Sequence, residues 1–274
     1  NTAGNLVLNG GAGANSMAAI ATTSTALAIN IGQGTAIGGD VLLNGGTGTA
    51  SIATIGVQAS SPAVADAAVS IRTDGDIIAV ANTGGVQVGS FEQGGTGRAT
   101  GGQVTLEAGL GASGGNIELE NAVVQTGTGG QVTLAAHEVS NLPSVGRVTQ
   151  GASGSILADQ LYVQTFNAGN HFHVDLQATG NDVNKLAVRM LDVAGTSVSA
   201  GQAYYHDMNG FTVDGSALGL SAGESAIQGA ATAVVNLTSG GAVTQAVDVN
   251  SGIDAGFVQV NSVNGVALDN AEND

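Results

Sequence analysis

The chain has 274 residues, among them 45 Gly, 2 Pro and no Cys or Trp, and a formal charge of −16 from 21 acidic and 5 basic side chains. Without Cys it holds neither disulfides nor thiolate zinc, and its scattered cations cannot neutralise a phosphate backbone, which excludes nucleic acid and disfavours anionic membranes. Hydrophobic residues make up 43% but aromatics only 3%, a mixture of small aliphatics that suits a long, thin solenoid core.

No run of about 18 apolar residues is present, so no membrane span is expected. The mean hydropathy of +0.24 argues against disorder despite the low complexity. The chain opens at Asn1 with no charged leader, which reads as a processed or excised form. An acidic surface keeps long particles apart and attracts divalent cations such as calcium; no other cofactor is expected.

One pattern recurs along the first half: Gly, one polar residue, then alternating apolar positions. It appears as GNLVLNGG (Gly4 to Gly11), GGDVLLNGG (Gly38 to Gly46) and DGDIIAVAN (Asp74 to Asn82). It returns as GGQVTLEAG (Gly101 to Gly109), GGNIELENA (Gly114 to Ala122) and GGQVTLAAH (Gly129 to His137), with a weaker copy at Ser153 to Leu161. Alternation puts Val104, Leu106, Ile117, Leu119, Val132 and Leu134 inward, and Thr105, Glu107, Glu118 and Glu120 outward. The short segment Met17 to Ala21 is flanked by β-prone Thr and reads as strand. Each strand is preceded by Asn5, Asp40, Asp76, Gln103, Asn116, Gln131 or Ser155. A polar side chain there bonds turn backbone or its own copy one coil away. The step from Gln103 to Asn116, like that from Asn116 to Gln131, is shorter than one coil, which places some copies on different faces. With about 20 residues per coil and about 4.8 Å between strands, the chain makes about 13 coils and about 60 Å of length.

Composition shifts near residue 160. Of the five Phe and three Tyr, only Phe91 comes earlier, and Lys185 and three of the four His come later. Short strands continue at His171 to Gln177, Phe211 to Gly215, Ala233 to Gly241 and Phe257 to Gly265. The expected fold is all-β, a parallel β-helix or β-solenoid, regular over 1–160 and more irregular over 161–274. A separate β-sandwich beginning near Tyr162 is the alternative. Strand-like sequence reaches Asn270, and neither end is expected to carry a capping helix.

GGQVTLEAG, GGNIELENA and GGQVTLAAH resemble the degenerate repeats of filamentous-haemagglutinin-like adhesins, the exoproteins of two-partner secretion. The stretch Gly180 to Gly215 resembles their less regular shaft segments. The resemblance implies a right-handed parallel β-helix, a bacterial origin, export to the cell surface or beyond, and adhesion, fibre or biofilm-matrix formation. Expected partners are further copies of the chain in a fibre or end-to-end filament, and host or biofilm surface glycans. No catalytic residue carries over.

The sharpest candidate metal site is His171, His173 and Asp175, which alternation would place on one face opposite Phe172 and Val174, with His206 or Asp207 as further ligands. Read structurally, the same residues are a polar outer face, His206–Asp207 is a solvated turn, and His137 is an isolated surface residue. Polysaccharide-active β-helix enzymes need clustered carboxylates with a basic residue and sugar-stacking aromatics. Asp74 with Asp76, and Glu118 with Glu120, are the nearest approach, so the chain is read as no enzyme. GGTGRATGG (Gly94 to Gly102) begins like a calcium nonapeptide but has Arg98 and Ala99 at ligand positions. Asn236-Leu237-Thr238 is a glycosylation sequon. A surface-layer protein stabilised by divalent cations is a third class.

Overall fold

The computed structural model describes residues 4–22, 28–59, 68–92, 101–139, 145–167, 172–216, 220 and 224–274. Its strands fall into nine successive coils. The first is β1 (Leu6–Asn9), β2 (Met17–Thr22) and β3 (Ile29–Ile31); the second is β4 (Val41–Asn44), β5 (Ile52–Ala59) and β6 (Ala68–Arg72). The third is β7 (Ile77–Val80), β8 (Val86–Glu92) and β9 (Gln103–Ala108); the fourth is β10 (Ile117–Glu120), β11 (Val123–Gln125) and β12 (Gln131–His137). The fifth has β13 (Val148–Gln150) and the long β14 (Ser155–Phe166), the sixth β15 (Phe172–Leu176) and β16 (Asp182–Leu191). The seventh is β17 (Gln202–Asp207), β18 (Phe211–Val213) and β19 (Ile227–Gln228), and the eighth β20 (Val234–Ser239), β21 (Val243–Gln245) and β22 (Ile253–Asp254). β23 (Phe257–Ser262) and β24 (Val266–Ala267) make the ninth.

The first strand of every coil joins one 9-stranded sheet, β1-β4-β7-β10-β13-β15-β17-β20-β23, and the rest form a 15-stranded sheet that curls around the core. Every pairing between named strands is parallel, for example Leu6 with Val41, Val41 with Ile77 and Ile77 with Ile117. The chain is therefore all-β with a solenoid-like stack of coils. A coil takes between 23 residues, from Val235 to Val258, and 40, from Ile77 to Ile117. That corrects the expectation of shorter, more numerous coils. As the short spacings indicated, Gln103, Asn116 and Gln131 stand at the starts of strands on alternating faces. Eight steps of one strand separation make the stack about 38 Å long.

Alternation decides what enters the core. Val104, Leu106, Ile117, Leu119, Val132 and Leu134 are all buried, and Glu120 is exposed with Thr105, Glu107 and Glu118 half-buried. Like stacks on like along the axis: Val69, Val104, Val132 and Leu161 are successive partners on consecutive coils. Each such side chain contributes about 1.5–3 kcal/mol when fully buried. Met17–Thr22 is strand, as its Thr neighbours indicate.

The ladder crosses residue 160 without interruption, because β14 itself spans it. β14 pairs with β11 through Ser155–Leu157 and with β12 through Gln160–Phe166, so two sides of the coil merge into one long strand. β16 continues the merged side and hands it on separately to β18 and β19. Aromatics enter here: Tyr205 and Phe211 are buried and meet edge-on, with centroids 5.4 Å apart.

Candidate functional site

A corner ladder precedes the strands of the 9-stranded sheet. Asn5 Oδ1 accepts the Asp40 N–H at 2.9 Å, Asp40 Oδ1 the Asp76 N–H at 3.0 Å, Asp76 Oδ1 the Asn116 N–H at 2.7 Å, and Asn116 Oδ1 the Arg147 N–H at 3.1 Å. In the first four coils the polar side chain thus satisfies a backbone donor of the next, as expected for Asn5, Asp40, Asp76 and Asn116, whereas Gln131 bonds Thr133 within its own strand. At two of these corners the preceding glycine is required by the same contact: a Cβ on Gly75 would run into Asp40 Oδ1, and one on Gly39 into Asn5 Oδ1. These glycines and Asp40, Asp74, Asp76 and Asn116 line an open groove of about 520 Å³. Beside it Glu118 is pushed above the ordinary carboxylate range, first by burial, then by the charges of Asp76 and Glu120.

The acidic groove concentrates negative charge but does not assemble a ligand set. Among the described residues no three His, Asp or Glu side chains lie close enough to share a metal ion. His171 lies outside the described residues. His173 and Asp175 do not share an outer face. The pairing with β17 shifts register between Phe172 and Val174, and this irregularity turns His173 inward. There it is fully buried, 3.0 Å from Thr165 Oγ1, with Gly201 against its ring, whereas Asp175 stays half-exposed and accepts a hydrogen bond from Gln177 Nε2. His206–Asp207 is no solvated turn: it closes β17, and Asp207 is buried. Asp207 accepts the Val183 N–H and the Tyr205 hydroxyl on Oδ2 and the Asn209 N–H on Oδ1. Burial raises its carboxyl despite these donors. Asn236 of the sequon lies on the outer side of β20 between neighbouring strands.

Two clusters were invisible in the sequence. Arg72 Nε pairs with Glu107 Oε2 at 2.6 Å, His137 Nε2 lies 3.5 Å from Glu107 Oε1, and the His137 ring stacks on Phe166 at 4.1 Å. His137 is therefore one member of a column climbing four coils, not an isolated residue. Its contact and the Arg72 pair hold Glu107 below the ordinary carboxylate range against the opposing effect of burial. Further on, Arg189 lies buried on the outer side of β16. It donates to Glu224 Oε1 at 2.5 Å, Gln228 Oε1 at 2.8 Å and Tyr162 OH at 3.3 Å. Nothing local in sequence joins partners so far apart.

At the far end of the stack, Val258 and Val260 of β23 line an apolar groove of about 270 Å³ with Ile253 and Leu268. β23 is the border strand of its sheet. The adjoining corner is covered by polar groups: Asn273 Oδ1 accepts from Gln245 Nε2 and from the Ile253 N–H, and Asn270 Nδ2 donates to the Ala246 and Asp248 carbonyls. A few Asn side chains thus cover this corner without a helix, while the groove along β23 stays open. No family model matches the chain, and neither a curated protein nor a solved structure does.

Proposed function

We propose that the chain is a shaft segment of a bacterial extracellular fibre with a structural or adhesive role. Its coils would wind as a right-handed parallel β-helix of the kind found in filamentous-haemagglutinin-like exoproteins. The observation that carries this reading is the unbroken parallel ladder from β1 to β23, in which every coil is held by its neighbours. Such a stack gains stability and length by repetition, and the apolar border at β23 offers an edge for further pairing. The charge of −16 restrains sideways clumping while leaving axial growth open. Partners on this reading are further coils or copies along the axis, and glycans of a host or biofilm surface. Electron microscopy over a range of concentration and calcium, with binding to cells or matrix, tests it. Rods, filaments or surface attachment are expected; compact monomers that bind no surface overturn it, as does turnover of acidic glycans.

A second reading is favoured by the acidic groove at Asp40, Asp74 and Asp76: a surface-layer or matrix protein steadied by divalent cations such as calcium. A melting temperature unmoved by a chelator rejects it.

A further inference from the structure

On the outer side of the third strand series the register builds a row of amides. Gln103 of β9, Gln131 of β12 and Gln160 of β14 are direct partners on consecutive coils, so their side chains recur about every 4.8 Å. Ala68 precedes the row and Lys185 follows it. The three glutamines border an open groove of about 480 Å³ whose other wall is backbone at Gly101 and Gly129. Gly129 has φ of 80°, and a Cβ there would meet nothing, so the wall is bare.

The described residues that line the groove are uncharged in a chain of charge −16. Two residues along each strand runs a second rank, the hydroxyls of Ser70, Thr105 and Thr133. Beyond it Arg72 and Glu107 neutralise each other, and at the row's far end Lys185 is paired with Asp214 at 2.7 Å. Gln131 Nε2 donates to Thr133 Oγ1 at 3.1 Å, whereas the amides of Gln103 and Gln160 have no partner among the described residues. Each free amide offers a donor and an acceptor side by side. The strand backbones beneath are already paired, so a peptide strand would gain no main-chain bonds here. Among the described residues an anionic chain meets no free cation here, and a cationic one finds its charge complement at the acidic corner instead. What fits is a partner without charge that presents hydroxyls at regular intervals close to the coil rise.

We propose that this groove binds an extended, uncharged polysaccharide running along the stack axis, with Gln103, Gln131 and Gln160 each engaging hydroxyls of successive sugar units. This rests on the adhesive reading above and gives it a ligand class and a place. A single site of three amides without an aromatic platform binds weakly. Repetition along a fibre multiplies it, since linked sites gain by effective concentration.

The test uses the full chain with cello-oligosaccharides and manno-oligosaccharides as neutral probes and polygalacturonate as the anionic one, read by calorimetry and by amide shifts in NMR spectra. Affinity for a neutral probe should rise with its length until three amides are spanned. Gln103→Ala, Gln131→Ala and Gln160→Ala should each weaken it about threefold to tenfold, and Ala68→Trp should obstruct the groove mouth. Gln259→Ala, on the other sheet, should leave binding unchanged, and an unaltered melting temperature confirms that each variant folds. Absence of binding to both neutral probes, binding indifferent to the three glutamines, or binding of polygalacturonate alone overturns the proposal. Fibre formation is scored separately: filaments without glycan binding sink the groove and spare the shaft, while glycan binding by compact monomers that attach to no surface does the reverse.

Discussion

The coils before β14 and those after it solve the same packing problem with different means. In the earlier ones a coil copies its neighbour: Val41, Ile77 and Ile117 stack inward, and one Asx per coil closes the corner. In the later ones the interior holds single devices. Tyr205 packs on Phe211 and donates to the buried Asp207, His173 turns inward at an irregular pairing, and Arg189 is buried with Glu224, Gln228 and Tyr162 as its acceptors. Repetition spreads stability evenly over nearest-neighbour contacts. Unique clusters concentrate it, and they make single substitutions there more expensive.

Substitutions at Tyr205 and Leu119 measure that difference most directly. Tyr205→Ala empties an aromatic volume, takes away the edge-on partner of Phe211 and removes a donor from Asp207 at 2.8 Å. It should cost about 3–5 kcal/mol in denaturant unfolding. Leu119→Ala, buried among repeating aliphatics, should cost about 2–4 kcal/mol, because neighbouring rows relax into the space. Tyr205→Phe keeps the ring and loses only the hydroxyl, about 1–2 kcal/mol. If Leu119→Ala proves the more damaging, the contrast between the two regions fails.

Two glycines of the regular coils sharpen the point about corners. Gly75→Ala must displace Asp40 Oδ1, which is held by the Asp76 N–H, or press on the Gly39 backbone at 3.1 Å. A loss of about 1–3 kcal/mol is expected. Gly85 has open space around its missing Cβ. Gly85→Ala should be neutral or raise stability by about 0.4–1 kcal/mol through the unfolded chain. Equal melting temperatures for the two variants would remove the steric account of the Gly-Asx motif.

The same contrast explains what the sequence disclosed. The inward set from Val104 to Leu134 and the corner ladder were legible because strand alternation and Gly-Asx corners are local, and each coil repeats them. The coil length was misjudged because a typical value of about 20 residues was assumed, whereas the 35- and 36-residue steps from Asn5 to Asp40 to Asp76 were each one full coil. The inward turn of His173 was illegible because a register shift against β17 is a property of two strands, not one. The Arg72–Glu107–His137–Phe166 column joins residues that only the register of four coils brings together. The merged strands β14 and β16 likewise gave no local signal, since nothing in their composition says that a corner is missing.

Asp76 tests whether the corner ladder is structural or chiefly electrostatic. Asp76→Ala removes the acceptor of the Asn116 N–H at 2.7 Å and should cost about 1–2 kcal/mol. Asp76→Asn keeps that oxygen and removes a charge that raises Glu118. The raised Glu118 favours the folded state in full below the unfolded carboxylate value and loses that contribution as pH rises through the folded value. In Asp76→Asn the decline just above the ordinary carboxylate range should therefore be shallower. NMR titration should show Glu118 moving down while burial and Glu120 still hold it somewhat high. A variant Glu118 that titrates as before would assign the shift to burial and Glu120 without Asp76.

The smallest effect belongs to Glu107, which tests the outer column of the regular coils. Its carboxylate is half-exposed and faces Arg72 at 2.6 Å and His137 at 3.5 Å. Solvent-screened pairs of this kind contribute about 0–1 kcal/mol, so Glu107→Gln should lower stability only within that range at neutral pH. The sign with pH is opposite to that of Glu118. A carboxyl lowered in the folded state adds stability that is complete above its unfolded value and fades as pH falls through its folded one. The gap between wild type and Glu107→Gln should therefore narrow on acidification and close at the lowest pH, and it should shrink in high salt at neutral pH. Arg72→Gln should halve the gap or more without altering the His137–Phe166 stack, which ring-current shifts of the His137 protons would report. A difference that persists unchanged in acid would mean that Glu107 acts through packing of its methylenes, and that the column is held by its rings rather than by its charges.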